Sequence, residues 1–149
     1  MDRREELAAR EAESWKALLG EIEAVPSERR NVEGVVPGWS VKDLVAHCGG
    51  WARFSADRLE RTGSHPFTDP FDDAPDEHWD RVSQEMIDES RPMSFEDVLR
   101  AAEAARNRVR SVWSALPGAS DEAARFFSEE TAEHYDEHRA EIRAFRERS

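Results

Sequence analysis

The chain has 149 residues, a single cysteine and a formal net charge of -12, with 33 acidic against 21 basic residues. That length suits one domain over residues 1–149 that buries its core without disulfides. The acidic balance argues against nucleic acid and anionic membranes as partners, and no run of about 18 apolar residues exists to span a bilayer.

The first predicted helix runs from about Arg3 to Glu23, where Ala8, Ala12, Trp15, Leu18, Leu19 and Ile22 form one apolar stripe and Pro26 stops it. The N-terminal residues lack the apolar core of a signal peptide. After Pro37-Gly38, Ser40 and Asp43 read as a capping box, with Trp39 and Leu44 as its hydrophobic staple. The second helix is expected to reach about Arg61, with Val41, Leu44, Val45, Cys48, Trp51, Ala52, Ser55 and Leu59 inward and His47 beside them. Residues 62–75 hold three prolines and a glycine, which predicts a long connection. A short helix follows over Asp76 to Glu89, ended by Pro92. Ser94 and Asp97 form a second box, and the third main helix runs to about Leu116 before Pro117-Gly118. The last helix starts between Ser120 and Ser128, and its stripe is His134, His138, Ile142 and Phe145, with Tyr135 alongside. No segment alternates with period two. The fold class is therefore all-α, a four-helix bundle with one extra short helix in the second-to-third connection.

Among five histidines, His65 and His78 lie in the connection and on the short helix and carry little signal. His134 and His138 stack four apart on one face, about 6 Å apart along the axis. That spacing lets two imidazoles reach one ion at about 2.0–2.1 Å. Partners for buried imidazole N–H groups are needed, and nearby carboxylates (Glu130, Glu133, Asp136, Glu137, Glu141) are the competing answer. His47, bordering the stripe of a second helix, makes three nitrogen ligands on facing helices, an open set that leaves room for water or substrate. All-nitrogen ligation suits a divalent metal, zinc or nickel first and iron or copper as well. His134-Tyr135-Asp136-Glu137-His138 also fits the inverted zinc-peptidase pattern H-x-x-E-H. With only 11 residues after His138 to supply a third ligand, and Glu137 reading as a solvated residue, that match is set aside. Cys48 reads more readily as a buried thiol than as a ligand or nucleophile, and a lone cysteine fits a reducing, cytoplasmic setting.

Three segments also carry a family resemblance. Pro37-Gly38-Trp39-Ser40-Val41-Lys42-Asp43-Leu44-Val45-Ala46-His47 resembles the second-helix motif of the DinB-like superfamily, and Glu133 to Ile142 resembles its last-helix motif. Met93 to Leu99 is similar to the third-helix start of its ClbS/DfsB-type branch. The resemblance implies an up-down-down-up bundle with His47, His134 and His138 as metal ligands. It also implies thiol-dependent transferases or isomerases using mycothiol or bacillithiol, such as mycothiol-dependent maleylpyruvate isomerase, and proteins that inactivate reactive small molecules. At 149 residues the chain is expected to lack the extra C-terminal domain of the maleylpyruvate isomerase type, which counts against that substrate.

Two functions of different class follow, both with a small molecule as partner. In the first, a metal-assisted, thiol-dependent transferase or isomerase, or a hydrolase, uses the open face of the three-histidine site, with Asp43 orienting a ligand. In the second, a non-catalytic detoxification protein sequesters its ligand in the bundle cavity, with Trp39, Trp51, Trp79 and Phe127 as candidate walls that core packing explains more readily. A third outcome is an empty site with a structural role, and a homodimer stays open. Coordination needs neutral imidazole, so metal is expected to leave as the pH falls through about 6.

Overall fold

A computed structural model describes residues 2–62 and 67–148. His65 lies outside the described residues. Helix α1 (Arg3–Ala24) is capped by Asp2, whose carboxylate accepts from the Glu5 N–H at 2.9 Å. It buries Trp15, Leu18 and Ile22 as the stripe predicts, and Glu11 and Ser14 as well. Helix α2 (Val41–Thr62) starts on a reciprocal box. The Ser40 N–H donates to Asp43 Oδ2 at 2.9 Å, and the Asp43 N–H donates to Ser40 Oγ at 3.1 Å.

Helix α3 (Asp76–Ser90) is the short extra piece, and α4 (Phe95–Ala115) begins at Ser94, which accepts from the Asp97 N–H at 3.1 Å. Helix α5 (Asp121–Ser128), a π turn (Glu129–Glu133) and α6 (His134–Glu147) form the last rod of the bundle. Ser120 caps it, inside the predicted window. The π turn is invisible to a period count. No strand occurs among the described residues beyond an isolated bridge between Val36 and Trp39, and no described helix is long and apolar enough to cross a membrane.

Side-chain pairs set the helix directions. Arg3 meets Asp121, Trp15 meets Tyr135 and Glu21 meets Arg146, so α1 and the last rod are parallel. A Cβ on Gly49 would sit 2.9 Å from the Ala102 Cα, and Asp57 pairs with Arg108, so α2 and α4 are parallel to each other. Arg106 reaches Glu11, and Trp113 donates to the Arg4 carbonyl, so α4 opposes α1. The order is up-down-down-up.

Two apolar clusters fill the bundle. One gathers Trp15, Leu18, Ile22, Leu44, Tyr135, Ile142 and Phe145, and the other gathers Leu59, Val109, Trp113, Phe126 and Phe127. Polar groups sit inside as well. Glu11 is fully buried, holds Arg106 through two bonds of 2.7 and 2.8 Å, and accepts from Arg110 at 2.7 Å. Breaking a buried pair of this kind from one side costs about 3–5 kcal/mol. It braces α1 on α4.

Candidate metal centre

His47 lies on the second turn of α2, where the box at Ser40 fixes the register and turns Leu44 and Cys48 into the core. His134 opens α6 and His138 follows one turn later. The bundle brings all three together, and their potential ligand atoms lie within 4.8 Å of one another. The Nε2 atom of His134 stands 3.0 Å from that of His47 and 2.8 Å from that of His138. The rings meet edge to face, with centroids 4.4 to 5.0 Å apart.

Burial is the dominant electrostatic fact here. It pushes His47 down to about 3, with His138 adding repulsion, and holds His134 well below its ordinary value, with His138 and then His47 contributing. Both rings therefore stay neutral and keep a lone pair. The Nδ1 atoms of His47 and His134 are buried without a hydrogen-bond partner. His138 Nδ1 contacts the Glu141 carboxylate.

This donor set fits a cation. Three Nε2 atoms converge, yet His134 Nε2 carries at most one proton for two neighbours, so hydrogen bonding cannot satisfy the trio. A four-coordinate zinc keeps its nitrogen ligands roughly 3.3 Å apart, given bonds of about 2.0–2.1 Å. The His134 separations of 3.0 and 2.8 Å fall short of that by only a few tenths of an ångström.

The sequence matches the family described as "Mycothiol maleylpyruvate isomerase N-terminal domain" over residues 12–140. The chain belongs to that family, within the DinB-like superfamily. Among solved structures, a protein from Streptococcus pneumoniae shares the fold. Its TM-score is 0.76 at 15% identity, covering 99% of this chain and 92% of that one. No curated protein matches the chain.

In this member of the mycothiol maleylpyruvate isomerase N-terminal domain family, the other expected residues divide cleanly. Asp43 spends its carboxylate on the helix cap, so the residue expected to orient a ligand does not reach the histidines through any observed bond. Glu141 contacts the His138 ring instead. Its signal, an acid three residues after a ligand on one helix, was in the sequence, but several carboxylates there competed for it. Glu137 is exposed, as its solvated reading requires. Cys48 is buried, and burial, with Glu141 and Glu137 adding to it, pushes its thiol up to about 12, so it stays protonated. Phe127 is fully buried and stacks on Trp113 at 4.5 Å, and Trp51 is buried with its indole N–H on Ser83. Both are core rather than pocket wall. Trp39 lies 5.0 Å from the His47 ring and covers it. His78 packs on Trp79, away from the trio.

The low values of His47 and His134 also change the pH expectation. At these two rings protons would compete with a metal only well below pH 6, so metal held at about pH 4 would not by itself separate histidine from carboxylate ligation. Variants must do so.

Proposed function

We propose that this chain is a metal-dependent enzyme acting on a reactive small molecule, as a thiol-dependent transferase or isomerase or as a hydrolase, through His47, His134 and His138. The observation that carries it is the convergence of three imidazoles from two helices, with the rings of His47 and His134 held neutral by burial. The family's description, which names mycothiol, supports a low-molecular-weight thiol as co-substrate. A divalent ion in the trio, zinc or nickel first and iron or copper as well, supplies Lewis acidity and makes a thiol or water a nucleophile near neutral pH.

The chain's own residues do the rest. His47, His134 and His138 would hold the ion through imidazole nitrogens, and a set of three protein ligands would leave room for substrate. Trp39 packs against the His47 ring, which is itself buried. Cys48 keeps its proton and faces the core, so it does not compete as nucleophile, and the attacking atom comes from outside the chain. A cytoplasmic setting supplies the small thiol, and the acidic charge argues against nucleic acid and anionic membranes as partners.

Elemental analysis of the purified protein beside His47→Ala and His138→Ala tests the centre. The native chain should carry about one ion, and each variant should lose it with the helical content unchanged. Metal-loaded protein is then assayed for conjugation of small electrophiles with mycothiol and for their hydrolysis. Silence in both assays, together with tight ligand binding that survives chelation, turns the reading to a sequestering protein.

A further inference from the structure

The three histidines are not equivalent. Those at 47 and 134 leave Nδ1 buried and without a partner. His138 alone has its Nδ1 engaged, by the Glu141 carboxylate three residues on along α6. An i, i+3 pair faces the same way on a helix, so α6 itself holds the two groups together. His138 is buried, while the Glu141 side chain is one-third exposed at 33%. No Lys or Arg pairs with Glu141 among the described residues. Its one observed bond is to the ring.

We propose that Glu141 is the positioning residue of the centre, fixing His138 with its proton on Nδ1 so that Nε2 points a lone pair at His47 and His134. The inference rests on the metal reading above. Carboxylate behind imidazole raises ligand basicity and locks ring orientation, and loss of such a partner typically weakens metal binding roughly 10–100-fold. The other two rings, with no such anchor, settle around the one that is fixed. The centre is thus built from His138 outward. Glu141, His138 and His134 share α6, so that helix carries the anchored ring and its neighbour, and α2 adds the third.

The test is zinc affinity, measured by competition with a chromophoric chelator, for native protein, Glu141→Ala, Glu141→Gln and His134→Ala. Glu141→Ala should bind roughly 10–100-fold more weakly, and Glu141→Gln, which still accepts from Nδ1–H, should recover part of the loss. The visible bands of the cobalt-loaded protein should shift in Glu141→Ala, while the melting temperature of the metal-free protein barely changes. A merely structural ion pair gives the reverse, a lower melting temperature and native affinity, and that result overturns the inference. If His134→Ala loses zinc but both Glu141 variants keep native affinity and bands, the inference alone falls. If His134→Ala binds as tightly as native, the metal reading falls and takes this one with it.

Discussion

Glu130 sits on the π turn, one turn before His134, with no cation paired to it among the described residues. Burial, then the like charges of Glu129, Asp69 and Glu137, pushes its carboxyl up to about 7. A carboxyl whose folded value lies above its unfolded value contributes stability that is complete below about 4.5 and lost as the pH rises through about 7. Glu130→Gln keeps the shape and removes the charge. At pH 8 it should stabilise the fold by on the order of 1–3 kcal/mol, and near pH 4.5 by almost nothing. Urea denaturation at the two pH values measures the difference. An equal gain at both means that shape or hydrogen bonding, not ionisation, is responsible. The same arithmetic of burial explains what was legible at this scale. The three histidines could be found because they continue or border apolar stripes. Glu11 could not, because a carboxylate on a polar helix reads as solvated until its partners are known, and Arg106 and Arg110 lie on the far side of the sequence. Asp43 satisfied two readings at once, and the cap, formed within three residues, won over a longer reach.

The elements were legible wherever a local rule set them. Capping boxes at Ser40 and Ser94, and Pro26 and Pro117 as stops, mark ends that the chain chooses without knowing its neighbours. The π turn was not, because extra residues in a turn cost hydrogen-bond geometry locally and are kept only by packing, as is common beside functional sites. Its place directly before His134 sets where that ring falls. Packing also decides the glycine pair of α2. Alanine in a helix is favoured over glycine by about 1 kcal/mol, so both positions gain by propensity. At Gly49 the new Cβ meets backbone, the Ala102 Cα at 2.9 Å, and α2 must move off α4. At Gly50 it meets the Met86 side chain, whose sulfur at 2.5 Å and Cγ at 2.7 Å can rotate away, leaving a tight contact with Cβ at 3.0 Å. Gly49→Ala should therefore destabilise by about 1–3 kcal/mol, while Gly50→Ala stays within about 1 kcal/mol of native. Thermal melts of the pair decide it, and equal losses would place Met86 among the rigid parts of the core.

At the scale of the molecule, the three histidines bring together two rods of the bundle that share few other contacts. Helix α2 contributes His47, and the last rod contributes His134 and His138. An ion that binds only the folded state adds stability of about 2.7 kcal/mol at a free concentration one hundred times its Kd. For a chain of this size that raises the melting temperature by about 5–10 °C. The net charge of -12 complicates the reading, because any divalent cation also screens the repulsion of an acidic surface. Magnesium, which prefers oxygen ligands, reports that general effect. Zinc or nickel should thus raise the melting temperature of the native protein well beyond magnesium at the same concentration. In His134→Ala the two kinds of cation should act alike, because the surface charge is unchanged while the trio is broken. An equal zinc gain in native and variant would assign the ion to surface carboxylates, and the bundle would then owe none of its cohesion to the histidines.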